Sequence, residues 1–202
     1  MIAVIIIVVV SALLYFFLFL NSNLQTKIVE EIDNYEYTLE KRDTILMEEN
    51  FLLLKDTLEN KEVDYNKYAE YLSKLFVIDL FTLSNKSSKY DVGSVEYIYP
   101  DKKDSFISKV QDTLYAYLGS IDSLPEVKSI SLEGNVEKTT LSYDEEVKDA
   151  YIVNLTWDYV EDFGYDNKAK ITLIDIENKL YIASYEVISW KNHLENLKDL
   201  VK

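Results

Sequence analysis

The chain has 202 residues and a formal net charge of −15, with 36 acidic residues, 21 basic residues and no cysteine. An acidic surface repels phosphate backbones, so the charge argues against a nucleic acid as partner. The lack of cysteine excludes disulfides and thiolate metal sites, and one histidine cannot complete a zinc site. We therefore expect no cofactor.

The first twenty residues are the most apolar part of the chain. No charged side chain occurs between Ile2 and Leu20, and the first one in the sequence is Lys27. A helix of this length spans ~28 Å, close to the thickness of a bilayer core, so residues 1–20 predict a transmembrane helix. The segment is longer than the core of a signal peptide and has no basic residue before it, which favours an uncleaved anchor. The positive-inside rule has few charges to act on, but the long acidic remainder favours a single-pass signal anchor with an extracytoplasmic domain.

Residues 21–62 are predicted to form a helical stalk. From Leu24 to Asn60 the apolar residues keep a helical spacing, and no proline or glycine occurs before Gly93 to end a helix. Four of the apolar residues have the 4-3-4 spacing of a coiled-coil seam: Ile28, Ile32, Tyr35 and Leu39. Two interpretations stay open, namely a parallel dimerisation helix with this seam and a helix that packs on its own domain.

Residues 63–202 are predicted to form one α+β domain whose first elements are helices. Asp64 is a capping residue for a helix that ends near Ser84. Val95–Tyr99 alternates in polarity before a proline, which predicts a short extended segment. A second helix ends at Gly119 and begins at one of two capping residues, Asp101 or Asp104.

After Pro125 the apolar period changes from 3.6 to 2, which indicates strands. The predicted strands are Val127–Leu132, Val136–Tyr143, Ala150–Phe163, Lys168–Ile176 and Lys179–Ser189. Glu133–Asn135 is predicted to be a tight turn that joins the first two strands as a hairpin. The third strand alternates most clearly, with one face formed by Tyr151, Val153, Leu155, Trp157 and Tyr159.

A short helix, Asn192–Val201, completes the predicted domain. Helices followed by strands predict an α+β fold in which helices cover one face of a curved antiparallel sheet of about four to five strands. From Tyr65 to Trp190 this order resembles the nuclear-transport-factor-two-like cone fold. With the anchor Ile2–Leu20 and the stalk ahead of it, the chain is similar to the bitopic scaffold subunits of type IV secretion and conjugation machines, although their common Asn-Pro turn is missing. The resemblance carries over no functional residue and implies an oligomeric, non-catalytic component of an envelope assembly.

The sequence contains no catalytic motif. The single histidine, His193, has only Glu195 nearby, and two residues along a helix do not share a face. The four glycines form neither a nucleophile elbow nor a phosphate-binding loop. The best metal candidate is an acidic group whose oxygen ligands suit calcium but lack the EF-hand spacing, and a solvated turn is the competing interpretation: Asp158, Glu161, Asp162, Asp166 and Asn167.

Aromatic residues are abundant, with 17 tyrosines, 8 phenylalanines and 2 tryptophans. Five of them, on the predicted strands and just after, are candidates for a partner or ligand surface: Trp157, Tyr159, Tyr181, Tyr185 and Trp190. Three interpretations are open, namely ordinary core residues, a protein-docking face and the lining of a pocket under a cone-shaped sheet.

The sequence therefore predicts a location more firmly than a reaction. The one arginine, Arg42, beside many lysines suggests an AT-rich bacterial genome. We expect a membrane-anchored, extracytoplasmic protein-interaction or scaffold component that binds other envelope proteins and itself as a possible homo-oligomer. The alternative is a ligand-binding or enzymatic cone-fold domain with an aromatic-lined pocket.

Overall fold

The computed structural model describes residues 27–188, apart from residues 117, 120–122, 144 and 163. Within these residues the three α-helices are α1 (Ile45–Leu58), α2 (Tyr65–Phe81) and α3 (Lys103–Asp112). The strands in the same part of the chain are β1 (Ile28–Ile32), β2 (Tyr37–Glu40), β3 (Val127–Leu132), β4 (Glu137–Tyr143), β5 (Glu146–Tyr159), β6 (Lys168–Ile176) and β7 (Lys179–Val187). β1 and β2 form a hairpin and the other five strands form one antiparallel sheet, which confirms the predicted α+β class.

The predicted membrane span and the predicted terminal helix, residues 1–20 and 192–201, lie outside the described residues. Between residues 27 and 188, each described helix is too short or too polar to cross a membrane. The longest of the described helices, α2, has 17 residues and carries charged side chains along its length.

The predicted stalk is wrong over residues 28–40, which form the hairpin of β1 and β2 rather than a helix. Asn34 and Glu36 take the left-handed backbone conformation, with φ of 69° and 57°, and reverse the chain between the strands. Ile32, Tyr37 and Leu39 then enter the hydrophobic core. Burial of these side chains against distant elements outweighs the helical spacing of the local sequence.

The second half of the predicted stalk is helical, as expected, but it lies on the domain. Thr44 caps α1, its side chain accepting a hydrogen bond from the backbone N–H of Met47 at 3.2 Å. The apolar stripe of α1 packs into the common core beside α2, through Met47, Phe51, Leu54 and Leu58. Residues 28–58 are therefore part of the folded domain. For α1 this agrees with the second of the two interpretations left open by the sequence, a helix that packs on its own domain.

The helices that follow differ from their predictions at their ends. Asp64 caps α2 as predicted, accepting from the backbone N–H groups of the second and third residues after it. α3 begins at Lys103 without a side-chain cap and ends at Asp112, well before Gly119. The buried Tyr115 explains the early end, because its hydroxyl donates to the backbone carbonyl of Leu80 at 3.0 Å and draws the chain out of the helix. A 3-10 turn, Val95–Tyr97, occupies most of the segment predicted as extended, in which Ile98 has an extended backbone. A second 3-10 turn, Pro100–Lys102, follows the segment.

The predicted hairpin of β3 and β4 is wrong, because both strands pair with β5 and not with each other. β3 pairs with the second half of β5 and β4 with the first half. Residues 133–136 lie opposite only Val153 and Asn154, so two extra residues interrupt the edge that β3 and β4 form along β5. The backbone N–H of Glu133 still donates to the carbonyl of Asn154 at 2.8 Å. The 14 residues of β5 are long enough to pair both strands along one edge.

The faces of β5 and the turn after β6 agree with the sequence pattern. Tyr151, Val153, Leu155 and Trp157 are buried and face the helices, while Asn154 and Thr156 are half-buried on the other face. The predicted turn at Glu177 and Asn178 is confirmed, since both residues have positive φ, as a two-residue type I′ hairpin turn requires.

Two buried tyrosine hydroxyls join the N-terminal hairpin to the rest of the fold. The Tyr37 hydroxyl donates to the Leu180 carbonyl at 2.9 Å, and the Leu180 N–H donates to the Tyr68 hydroxyl at 3.1 Å. Because the Tyr37 hydroxyl donates its one proton to the Leu180 carbonyl, the Tyr68 hydroxyl must be the donor in its hydrogen bond to the Tyr37 oxygen, at 2.7 Å. Both rings are fully buried, so each hydroxyl needs these partners. The network connects β2, α2 and β7.

We expect Tyr37→Phe to lower the free energy of unfolding by about 1–3 kcal/mol, because it leaves a buried Leu180 carbonyl and the Tyr68 proton without a partner. Urea unfolding followed by circular dichroism measures the change. Tyr90→Phe is the matched control, since Tyr90 is 71% exposed and should change stability by less than about 0.5 kcal/mol. Equal effects of the two substitutions would contradict the structural role of the network.

Candidate functional site

A polar cleft of about 310 Å³ lies between the N-terminal hairpin, α2 and the loop before α3. Asp79 on α2 organises it by accepting hydrogen bonds from the Lys86 ammonium and the Ser94 N–H. The Lys86 side chain is buried, so this ion pair is shielded from water. Gly93 passes so close that an added Cβ would lie 2.8 Å from the Asp79 carboxyl and carbonyl groups, which explains a glycine here.

A second ion-pair group closes the end of the cleft. The Arg42 guanidinium contacts Asp91 through two nitrogens, one of them at 2.8 Å, and contacts Glu40 at 2.7 Å. Although burial opposes ionisation, the Arg42 hydrogen bond lowers the pKa of Asp91 to about 2. The pair connects the end of β2 to the loop after α2.

Two other carboxyl groups of the cleft titrate near neutral pH. Glu96 accepts from the Thr38 N–H at 3.1 Å and from its hydroxyl at 2.8 Å. Burial raises the pKa of Glu96 to about 7 despite these bonds, and the charge of Asp79 adds to the rise. Burial likewise raises the pKa of Asp43 to about 6, although it accepts from the Glu40 N–H at 2.7 Å. Both groups make structural hydrogen bonds, so their protonation affects how firmly the hairpin is held.

A cluster of tyrosines lies on the sheet face away from the main core. The Tyr99 ring meets the Tyr143 and Tyr181 rings edge-on, with centroids 5.7 and 5.3 Å apart. The Lys102 ammonium lies 6.0 Å from the Tyr143 ring and the Lys179 ammonium 5.2 Å from the Tyr181 ring. These three tyrosines and two lysines are called the tyrosine patch below. All three tyrosines are half-buried, so each presents part of its ring to solvent.

An apolar groove of about 360 Å³ opens between the end of α2, the turns after α3 and the β5–β6 loop. Tyr159 and Tyr165 form one wall, with ring centroids 6.2 Å apart. The other apolar side chains that line the groove are Phe81, Leu83, Leu114, Leu118, Pro125 and Val187. Asp166 is the acidic residue at its rim.

The aromatic residues selected from the sequence as a partner or ligand surface do not form one surface. Trp157 is 1% exposed and packs on Phe81 in the core, with centroids 5.0 Å apart. Tyr185 packs partly buried against Phe76 at 5.3 Å. Tyr159 lines the apolar groove and Tyr181 belongs to the tyrosine patch, whereas Trp190 lies outside the described residues.

The proposed dimer seam does not form a stripe on one helix. Ile32 and Leu39 are buried in the core of their own chain, and Tyr35 stacks on Tyr37 at 5.8 Å. Ile28 is 51% exposed on β1. The helical seam is therefore wrong, because Ile28, Ile32 and Leu39 lie on two antiparallel strands and Tyr35 lies in the turn between them.

The acidic residues considered for a metal are spread around the turn after β5. Asp158 accepts from the Ser129 hydroxyl at 3.0 Å, and Asp162 accepts from the Gly164 N–H at 2.9 Å. In the described part of the chain, no three His, Cys, Asp or Glu side chains converge on a position for a metal ion. His193 lies outside the described residues.

Sequence reasoning missed Glu96, Asp43 and two of the three tyrosines of the patch. A glutamate and an aspartate among 36 acidic residues carry no local sign of burial. Tyr99 precedes a proline and Tyr143 ends a strand, and only the folded chain brings them together.

Comparisons with protein families, curated proteins and solved structures find no match to this chain.

The cleft predicts a pH-dependent stability. The raised pKa of Glu96 means that the folded state holds its proton more tightly than the unfolded state, whose pKa is near 4.5. The stabilisation is complete below the unfolded pKa and is lost as pH rises through about 7. We expect the free energy of unfolding to fall by about 1–3 kcal/mol between about pH 5 and pH 8, in part because Asp43 acts in the same direction.

Glu96→Gln should reduce this fall, because the amide keeps one acceptor for the Thr38 N–H and offers a donor to its hydroxyl without titrating. Glu137→Gln, at an exposed position on β4, is the control and should leave the pH profile unchanged. Urea unfolding at several pH values measures both. A Glu96→Gln profile as steep as that of the parent chain would show that another group titrates.

Proposed function

We propose that this chain is a membrane-anchored, extracytoplasmic protein-interaction component of a bacterial envelope assembly, of the secretion or conjugation type. The tyrosine patch is the observation that carries the proposal. Tyrosine supplies a large contact area with few rotatable bonds, and it is enriched where proteins bind one another. The uncharged segment Ile2–Leu20 supports the anchor.

The patch has the rigidity that a docking surface needs. Ile174, the cross-strand neighbour of Tyr181, is fully buried on this face, as is Ala150 next to it. The tyrosine rings therefore rest on a packed layer and lose little freedom when a partner binds. Lys179 is held in place by a hydrogen bond of its ammonium to the Tyr35 carbonyl.

The patch carries charges of both signs. Lys102 and Lys179 lie over the tyrosine rings, while Glu36 and Glu177 lie near Tyr181. Burial lowers the pKa of Lys179, and the Glu36 carboxylate, 3.9 Å from its ammonium, favours the charged form. We infer a protein partner that packs an apolar side chain on the tyrosine rings and pairs an acidic side chain with Lys102.

The distance between anchor and domain is short in this proposal. The folded domain begins at Ile28, eight residues after Leu20. Eight residues reach at most about 28 Å when fully extended. The domain thus works close to the membrane surface and not at the end of a long helical stalk.

Site-specific photo-crosslinking tests the partner surface. With p-benzoylphenylalanine in place of Tyr99, we expect a discrete crosslinked adduct in cells, because the ring lies at the centre of the patch. The same replacement at Tyr90, which is 71% exposed and outside the patch, is the matched control. Lys102→Glu should abolish the Tyr99 adduct through charge repulsion. An adduct equally strong at both tyrosines, or unaffected by Lys102→Glu, would contradict the assignment.

Cysteine labelling tests the orientation, since the chain contains no cysteine of its own. Thr140→Cys places one thiol at an exposed position on β4. We expect a membrane-impermeant maleimide to label it in intact cells as completely as after lysis. Labelling only after lysis would place the domain in the cytoplasm and reject the extracytoplasmic part of the proposal.

A further inference from the structure

The polar cleft contains two carboxyl groups, Glu96 and Asp43, that form no ion pair with a lysine or arginine among the described residues. Glu96 accepts from the N–H and the hydroxyl of Thr38, and Asp43 accepts from the Glu40 N–H, so these donors are neutral. Both carboxyl groups are partly withdrawn from water, where an unpaired negative charge is costly. A cation bound in the cleft would offset that cost.

The charges that line the cleft leave it acidic. Its described lining has four carboxyl groups and two cationic groups: Glu40, Asp43, Asp79, Glu96, Arg42 and Lys103. Asp79 pairs with the buried Lys86, yet its charge still raises the pKa of both Glu96 and Asp43. The pairs within the cleft therefore leave negative charge that a ligand can use.

A buried tyrosine hydroxyl faces the same carboxyl groups. The Tyr97 side chain is fully buried, and its hydroxyl has no hydrogen-bond partner among the described residues. The charges of Glu96, Asp79 and Asp43 all act on this hydroxyl, which lies near the Glu96 carboxyl without the geometry of a hydrogen bond. Because buried polar groups in folded proteins are hydrogen-bonded, the Tyr97 hydroxyl is an independent indication of a polar ligand at this position.

The rest of the lining fits a short carbon chain. Met47, Val92 and Val95 supply apolar surface beside the carboxyl groups. The cleft volume of about 310 Å³ is at the lower end of the range for small-molecule sites. In the part of the chain that the structure describes, no three His, Cys, Asp or Glu side chains are placed to hold a metal ion. A small organic cation therefore fits the cleft better than a metal ion.

We propose that the polar cleft binds a small organic amine, whose primary ammonium donates hydrogen bonds to the Glu96 and Asp43 carboxylates and to the Tyr97 hydroxyl oxygen. Two of these groups are held in place by the fold, since Thr38 orients Glu96 and the Tyr97 ring packs on Tyr37 with centroids 5.5 Å apart. Such preorganisation reduces the entropic cost of binding. The site does not depend on the tyrosine patch, so the two proposals succeed or fail separately.

A matched pair of ligands tests the proposal. 4-Aminobutan-1-ol carries an ammonium where butane-1,4-diol carries a hydroxyl, so the two differ in charge and hardly in size. Isothermal titration calorimetry of the full chain, purified in detergent at pH 8, measures the binding of each. We expect the amine to bind about tenfold more tightly than the diol or better, because only its ammonium forms charge-assisted hydrogen bonds with the carboxylates.

Substitutions locate the site. Glu96→Gln and Asp43→Asn should each weaken binding of the amine about tenfold, because each removes one negative charge. Tyr97→Phe removes a neutral acceptor and should weaken it by a smaller factor. Glu137→Gln, at an exposed position on β4, is the control and should leave the affinity unchanged.

The parent chain gives a test that needs no substitution. Burial raises the pKa of Glu96 to about 7 and that of Asp43 to about 6, so both carboxyl groups are ionised at pH 8 and protonated at pH 5. A primary amine stays protonated over this range. We therefore expect the amine to bind about tenfold more weakly at pH 5, or worse. The other charged groups around these two carboxyls are Glu40, Asp79, Arg42, Lys86, Lys103 and Lys179.

Three outcomes would overturn the proposal. The first is an amine that does not bind at pH 8 or binds no more tightly than the diol. The second is an affinity for the amine that neither Glu96→Gln, Asp43→Asn nor the change to pH 5 reduces. The third is calcium ion that displaces the amine at lower concentration than the amine itself requires, which would identify a site for an inorganic cation instead.

Discussion

The fold depends on two tyrosine hydroxyls that hydrogen-bond inside its core. The Tyr37 and Tyr68 rings carry their hydroxyl groups into the fully buried core, where each hydroxyl needs hydrogen-bond partners from the protein. The backbone of Leu180 supplies the remaining donor and acceptor. A single polar network thereby sets the positions of the N-terminal hairpin, the long helix and the last strand relative to each other. Aromatic rings packed around the network, including Tyr35 and Tyr97, exclude solvent from it.

Buried charges hold the other side of the hairpin. The Asp79 carboxylate orders the loop after α2 through Lys86 and Ser94, and the Arg42–Asp91 pair attaches that loop to β2. Breaking one member of such a pair leaves an uncompensated charge, which costs more than the pair contributes when intact. The hairpin is therefore joined to the domain by polar contacts that tolerate little substitution.

Local sequence patterns predicted much of the fold, and particular residues show why the other predictions were wrong. Asp64 before an apolar 3.6 period predicted α2, and alternation with a Glu177-Asn178 turn predicted β6 and β7. The same reasoning placed the residues of the first hairpin on a helix, because their apolar residues have a 4-3-4 spacing in the chain. In the fold, that spacing falls on two strands and the turn between them, and Ile28 is exposed. The sequence pointed to the aromatic residues, but it did not predict which of them lie in the core, in the apolar groove or in the tyrosine patch. The residues next to a tyrosine in the chain do not distinguish these three locations.

Composition and periodicity determined the acidic character, the missing cysteine chemistry, the apolar first segment and the change from helices to strands after Pro125. Each of these depends on composition or on residues near one another in the chain. Pairing depends on residues far apart, so only the tertiary structure decided that β3 and β4 share one edge of β5 and that residues 28–58 join the core. The raised pKa of Glu96, the tyrosine patch and the apolar groove belong to this second group. These features arise from burial and from contacts between residues far apart in the chain, and both are established only when the chain folds.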